Sequence, residues 1–328
     1  MFSKLLAKKV SLQEKHLTYD IDHIITNITN MFLALNTKLK KKYVFNFVHD
    51  IFHAPQFDNT ICDNQYHNIH HTYEVVQMVA CIVSNTKLKK ILSPFERTIL
   101  LVVATCHDFG HNGLSNNDWD EGSIKKQKAR ISSICSSNSL LGEEEENTLS
   151  NSPGNSIIRS SSTNECLLCG MNVSKSYNEL MHFELSMDIV LKHKKKILED
   201  KPDTEILHLL SVMIIETDLR KHEEYMQKEK TSNLDMMILV LKLSDISHIM
   251  RPFPVHLHWV YSLVQESRIP HIHRKEVQTV EYMSFDTIRF GKKFVGDMLG
   301  IIISIFPDFP PALKANYEAN LNIWESYI

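Results

Sequence analysis

The run Thr98-Ile99-Leu100-Leu101-Val102-Val103-Ala104-Thr105-Cys106 is apolar nearly all round, and Ser93-Pro94-Phe95-Glu96 stands just before it. Ser as N-cap, Pro at the first helical position and Glu closing a capping box start a helix there. A helix apolar on every side is stable only inside a body that covers it. The run therefore predicts a buried central helix with other elements packed around it. It delivers His107-Asp108 at its C-terminal end, where Gly110 and Gly113 break the pattern. A polar pair at the end of a buried helix points to a functional role.

The covering elements read as helices too. Ile21, Ile24, Ile25, Ile28, Met31, Phe32 and Leu35 recur at helical spacing, and residues 44–53 form another short helix. Asp58, Asn59, Asp63 and Asn64 mark a loop before a histidine-bearing helix. Ser176-Tyr177-Asn178-Glu179 has the form of a second capping box and opens a helix through Met187, Ile189 and Val190. Asp203-Thr204-Glu205 starts the next, with Leu207, Leu210, Val212, Met213 and Ile214 as its core. Leu234 to Leu243 is a third apolar helix, ending in Ser244-Asp245, and helices are expected at 255–267, 277–303 and 311–326. Strand alternation is nowhere convincing, so the fold class is all-α.

With 328 residues, 43% of them hydrophobic and only 9 Gly and 10 Pro, the chain is long enough for one large domain. A net charge of -3 gives no reason to expect nucleic acid or an anionic membrane surface as partner. Cys62, Cys81, Cys106, Cys135, Cys166 and Cys169 show no disulfide framework, so a reducing cytosolic setting fits best. The N-terminal stretch lacks the apolar run of a secretory signal. The most apolar late segment, Met298 to Phe306, is about half the roughly 20 residues a membrane span needs. Lys38 and Lys40 to Lys42 read as a solvated face or turn.

Residues 117–175 change character. Ser and Asn dominate from Ser132 to Ser162, an acidic run covers Glu143 to Glu146, and no apolar period is sustained, which predicts a disordered insertion within the folded domain. Cys166-Leu167-Leu168-Cys169 at its end is a lone CxxC, read as free loop thiols before any redox or metal role.

The chemistry-bearing residues begin in Tyr66-His67-Asn68-Ile69-His70-His71. On a helix, His67 and His71 lie four residues apart on one face, able to hold one metal together or to divide between metal and substrate. With His107, Asp108 and Asp245, His71 completes a set of two imidazoles and two carboxylates from three helices. That mixed nitrogen and oxygen set suits Zn, Fe, Mn or Mg better than a thiolate site. Asp108 alone can bridge, so a second, harder ion can share it, and two ions together lower the pKa of a bridging water for attack on phosphorus. His67 then faces the leaving oxygen as general acid. Singly, Asp245 could equally be a turn residue and each histidine a packing residue.

The order YHNxxH, HDxxHxG and a late Asp in Leu243-Ser244-Asp245-Ile246-Ser247 resembles the catalytic domain of class I 3′,5′-cyclic-nucleotide phosphodiesterases, within the HD-domain phosphohydrolases. The resemblance runs from about Tyr66 to the C-terminus, so residues 1–65 are expected to be shortened N-terminal helices and 66–328 the catalytic domain. It implies a dinuclear site, Zn plus Mg or Mn, hydrolysing cAMP or cGMP to the 5′-monophosphate in cyclic-nucleotide signalling. By motif, His67 is the proton donor, and His71, His107, Asp108 and Asp245 ligate the first metal. His111 lies around the metals' water, and Ser115-Asn116 matches an SN pair. Asn178-Glu179-Leu180-Met181-His182-Phe183 resembles LExHHF. Glu179 there either orients His67 or only closes the capping box. Glu216-Thr217-Asp218-Leu219 resembles ATDM, with Thr217 on a metal-bound water and Asp218 in the pocket. Substrate contacts are implied for His67, Asp218, Asp245, Thr287 and Phe290, and Arg251-Pro252 and Trp259 sit at matching places.

This chain departs from the family at Glu74 for Asp, Gly110 for Asp, His248-Ile249 for Asn-Pro, and Thr287 for the purine-reading Gln. Phe290 can stack on a purine, but Thr287 lacks the two-point amide contact. The resemblance also brings expected partners: regulatory domains or a homodimer mate. Two other readings stand beside the leading one: a degenerate domain that binds nucleotide or a partner without turnover, and an HD phosphohydrolase acting on another phosphoester.

Overall fold

A computed structural model describes residues 20–54, 64–119, 122, 176–267 and 280–328. The expected insertion, the CxxC and the loop after Glu266 fall largely or wholly outside the described residues. Among those described there is no strand, and the all-α expectation holds. The helices are α1 (Ile21–Leu35), α2 (Lys41–Phe52), α3 (Ile69–Asn85), α4 (Leu88–Ile91) and α5 (Pro94–Cys106). There follow α6 (Tyr177–Ile197), α7 (Asp203–Glu216), α8 (His222–Gln227), α9 (Asn233–Asp245) and α10 (Phe253–Glu266). The chain ends with α11 (Val280–Phe290), α12 (Asp297–Ile305) and α13 (Pro311–Glu325). No helix among the described residues is long and apolar enough to cross a membrane.

The Ser93 capping box forms: Glu96 N–H donates to Ser93 Oγ at 3.1 Å, and Ser93 N–H to Glu96 Oε2 at 2.7 Å. From Thr98 to Cys106 every residue of α5 is buried, and α3, α7, α6 and α1 pack around it. Each fully buried Ile, Leu or Val contributes about 1.5–3 kcal/mol relative to exposure, which is why this helix sits at the centre. Its two threonines are satisfied locally, Thr98 by the Pro94 carbonyl and Thr105 by the Leu101 carbonyl.

The expected helix at 277–303 is α11 and α12 joined by a π-helical stretch, Gly291–Gly296. A Cβ on Gly291 would stand 2.7 Å from Ile249 Cδ1 and 3.2 Å from Leu321 Cδ2, so a larger residue there would have to push both side-chain tips aside where the helix meets the loop after α9. The final helix clamps the same loop. Asn320 Nδ2 donates to the Ile249 and Arg251 carbonyls at 2.7 and 2.8 Å, and Asn316 Nδ2 to Met250 at 3.1 Å. Residues 247–251, which follow Asp245, are thereby held from the far end of the chain.

Candidate active site

Three helix ends converge. Asn68 caps α3, its side chain accepting the N–H groups of His70 and His71 at 2.9 and 3.2 Å. His71 thus lies in the first turn of α3, His107 and Asp108 follow the last turn of α5, and Asp245 is the last residue of α9. His71 Nε2 stands 3.3 Å from Asp108 Oδ2 and 3.2 Å from Asp245 Oδ1. His107 Nε2 stands 3.2 and 3.3 Å from the same two oxygens. All four ligand atoms lie within 4.8 Å of one another, as a single metal ion would require.

The donor set passes a sharper test. His107 Nδ1 lies 2.9 Å from the Ala104 carbonyl, which can only accept, so the proton of the neutral ring sits there. His107 Nε2 is then a bare lone pair facing two carboxylates, and both it and Asp108 Oδ2 are buried without a hydrogen-bond partner. Acceptors crowded on acceptors in a buried site call for a cation. The C-terminal ends of α5 and α9 add their negative dipole ends to that demand. Without an ion, protons must serve. Burial opposes it, but Asp108 and Asp245 raise His71 to about 9 and hold His107 well above the usual histidine range. Both carboxyls are in turn kept below theirs, against burial, by His107 and His71.

His67 does not share a helical face with His71. Asn68 is the N-cap, so His67 lies in the bend before α3, and the two rings meet edge to face at 5.8 Å. What holds His67 is Glu266, at the end of α10. Glu266 Oε1 contacts His67 Nδ1, and Oε2 accepts the backbone N–H groups of Tyr66 and His67 at 2.7 and 2.9 Å. Burial raises the Glu266 carboxyl, but these contacts bring it below its ordinary range. Sequence reading missed Glu266. The signal was present: His256, Trp259 and Glu266 are buried at helical spacing on α10, leaving one carboxylate on the inward face.

The His67 ring stacks on His111 at 3.8 Å and 17°, and His111 stacks on His182 at 5.4 Å. Burial and the neighbouring His67 push His111 well below its ordinary pKa. Its Nδ1 accepts the Gly113 N–H at 3.0 Å. Asn64 ties the two sides, its Nδ2 donating to the His67 and His111 carbonyls at 3.1 and 2.8 Å.

Glu179 is elsewhere in the site. Asn116 Nδ2 donates to both its oxygens at 3.0 and 2.9 Å, and burial followed by the Asp218 charge raises its carboxyl to about 8. Neither sequence account of Glu179 describes these contacts. The capping box does not form, because Ser176 Oγ turns instead to Asp218 Oδ2 at 2.8 Å. Asp218 also pairs with Arg220 at 2.7 Å, which outweighs burial and keeps it ionised. Thr217 Oγ donates to the Ile214 carbonyl at 2.7 Å.

A cavity of about 580 Å³ opens over these groups, lined by His67, Asp108, Glu179, Thr217, Asp218, Asp245, His248 and Phe290 among others. The fully buried His107 and the buried His71 lie behind Asp108 and Asp245 and outside the lining, and Thr287 is half-buried and also outside it. The structure thus brings together every expected site residue except Thr287. Two of the other departures have local explanations. Arg251 Nε lies 3.6 Å from Glu74 Oε2 and its Nη2 donates to the Glu74 carbonyl at 3.2 Å, so the longer acid is paired. Gly110 adopts φ +79°, the left-handed region where glycine is least strained.

Comparison with known proteins agrees with this geometry. The family model described as 3′5′-cyclic nucleotide phosphodiesterase matches residues 66–120 and 162–309. The cGMP-specific 3′,5′-cGMP phosphodiesterase 3 of Dictyostelium discoideum is 25% identical over 260 residues, covering 75% of this chain and 46% of that protein. The human high affinity cGMP-specific 3′,5′-cyclic phosphodiesterase 9A is 22% identical over 281 residues, covering 80% and 40%. The chain therefore spans just under half the length of these curated relatives. Among solved structures, the phosphodiesterase domain of the RhoPDE fusion protein from the choanoflagellate Salpingoeca rosetta superposes with a TM-score of 0.66 at 15% identity, covering 95% of this chain and 92% of that one. With its ligand cluster, its helical architecture and a family match over more than half its length, the chain belongs to the 3′,5′-cyclic nucleotide phosphodiesterase family.

Proposed function

We propose that this chain hydrolyses a 3′,5′-cyclic nucleotide to the 5′-monophosphate, with His71, His107, Asp108 and Asp245 holding a first divalent ion and Asp108 reaching a second. The observation that carries this is the His67–Glu266 pair facing the same cavity as the four-ligand cluster. Zn at the first position and Mg or Mn at the second suit the donors, since imidazoles favour the former and a lone carboxylate with water the latter. Bound there, such ions supply charge neutralisation of the phosphodiester and acidify water.

The side chains do the rest. Glu266 fixes the His67 ring through Nδ1 and leaves Nε2 to meet the leaving O3′. As the P–O3′ bond breaks and a water oxygen bonds to phosphorus, His67 gives its proton to O3′. His182, whose Nδ1 meets the Phe109 carbonyl and whose Nε2 stands 3.8 Å from Asp108 Oδ1, can take the proton that the attacking water gives up, while Glu179 and Thr217 line the same cavity as hydrogen-bonding groups. Phe290 offers a stacking face for the purine. The two relatives described above are named for cGMP, which makes it the substrate to test first, and signalling by cyclic nucleotides the expected setting.

The test is purified protein with Mg or Mn, given cGMP and cAMP separately, with His67→Ala as control. Hydrolysis of at least one nucleotide is expected, with kcat reduced on the order of 100-fold or more in the variant. Metal-loaded wild-type protein that hydrolyses neither would overturn the assignment.

A further inference from the structure

Behind the cavity wall, a line of hydrogen bonds runs from the core to His248 and is not needed for phosphorus chemistry. Trp324 Nε1, on α13, donates to His256 Nε2, on α10, at 2.7 Å. His256 Nδ1 lies 2.9 Å from His248 Nδ1, in the turn after α9, with the two rings 18° from parallel planes. Trp324 and His256 are fully buried, and the Phe253 ring packs against both. His248 is half-buried and lines the cavity together with Asp245, Ile246 and Phe290.

Donor logic sets the direction of this line. An indole N–H can only donate, so His256 Nε2 must accept, and the one proton of that neutral ring sits on Nδ1. His256 Nδ1–H then donates to His248 Nδ1, which leaves the His248 proton on Nε2. Burial keeps both rings neutral, lowering His248 to about 3 and His256 well below its ordinary range. His248 therefore has one ring nitrogen free for a ligand, Nε2, and it carries a hydrogen.

We propose that Trp324 and His256 are positioning residues that lock His248 as an Nε2–H donor, making His248 a specificity-determining residue that favours guanine over adenine. Guanine offers acceptors at O6 and N7, whereas adenine places a donor amino group where guanine has O6. N7 is an acceptor in both bases, so the discrimination lies at the six-position: a fixed donor there matches guanine O6 and opposes the adenine amino group, because a wrongly paired polar group in a buried pocket costs more than a good pair contributes. Thr287 lies outside the cavity and cannot supply a two-point amide contact, so base reading falls to the wall that His248 occupies. This inference rests on the phosphodiesterase reading for its substrate class, but not for the hydrogen-bond line itself.

The experiment has two arms. Long-range nitrogen–proton NMR of histidine-labelled protein reads the tautomers directly, and should find His248 protonated on Nε2 and His256 on Nδ1. The reverse pattern would overturn the proposal. In the second arm, the ratio of kcat/KM for cGMP over cAMP is compared in wild type, His248→Asn and Trp324→Phe. An asparagine amide can turn to present either a donor or an acceptor, so His248→Asn should lose the preference, the ratio falling on the order of 10-fold. Trp324→Phe does not touch the cavity, yet should lower the ratio by freeing the tautomer, with near-UV circular dichroism confirming the fold. An unchanged ratio in His248→Asn would overturn the proposal whether or not Trp324→Phe folds. If the wild type hydrolyses neither nucleotide, the phosphodiesterase reading fails alone. Calorimetric affinities for 5′-GMP and 5′-AMP then measure the same preference in the same variants, with equal affinities in wild type counting against it.

Discussion

Glu266 meets the His67 ring and accepts the backbone N–H groups of both Tyr66 and His67, although 199 residues separate His67 from it. One carboxylate thus fixes the position of the loop and the orientation of the ring that the loop carries. Glu266→Gln keeps an acceptor for the backbone but removes the charge beside the imidazole. A fall in kcat of about 10–100-fold with little change in KM is expected, since the group acts on His67 and not on the substrate. Steady-state kinetics with cGMP check this. A change confined to KM would place Glu266 in substrate binding instead.

The His71–Asp108–Asp245 geometry predicts a metal-linked stability that grows with pH. His71, raised to about 9 without an ion, contributes stability that is present below its unfolded value near 6.5 and lost as pH climbs through 9. An ion needs the same ring deprotonated, so its hold strengthens over the same interval. The gap in Tm between metal-loaded and EDTA-treated protein should therefore widen from pH 6 to pH 9, reaching at least about 5 °C. Calorimetry at the two pH values decides it, with Asp108→Ala, assayed for bound metal by mass spectrometry, expected to bind none. A gap that narrows with pH would mean that His71 is not a ligand.

Why some of this was legible in the chain and some was not follows from where each contact's information lies. His71, His107, Asp108 and Asp245 all sit at helix ends, and helix ends carry local signals: a capping box at Ser93, and the close of an apolar run at Cys106 or Ser244. Glu266 carries no such signal, because the group that needs it lies across the fold. The Ser176–Glu179 motif shows the opposite failure. It has the local form of a capping box, yet Ser176 is taken by Asp218 and Glu179 by Asn116, partners 42 and 63 residues away. Satisfying buried carboxylates outweighs a surface cap worth about 1 kcal/mol. The shared helical face of His67 and His71 failed by two residues, since the helix expected to include both starts at Ile69, with Asn68 as its cap.

Phe290 and Thr287 are one helical turn apart on α11, but only Phe290 lines the cavity. Phe290→Ala should raise KM for cGMP by about 10-fold or more, the loss of one base-stacking platform being worth about 1–3 kcal/mol. Thr287→Ala should change kcat/KM by less than about 3-fold, the usual range for a substitution outside a binding site. Equal effects from the two would mean that the substrate reaches α11 in a way the cavity does not describe.

Glu179 and Asp218 make a pH test of the region beside Asp108. Asp218 is held ionised, against burial, by Arg220 and Ser176, while burial and the Asp218 charge raise the Glu179 carboxyl to about 8. A raised folded-state value means that protonated Glu179 adds stability fully below its unfolded value near 4.5, and that this contribution is lost as pH rises through 8. Glutamine copies the protonated acid and does not titrate. In metal-free protein, Glu179→Gln should come close to the wild type at pH 5 and exceed it at pH 9, by roughly 4 kcal/mol. Urea unfolding in EDTA at both pH values reads the difference. A variant that is less stable by the same margin at both would show that the Asn116 amide already holds Glu179 ionised, and that the proton assigned to this pair is absent.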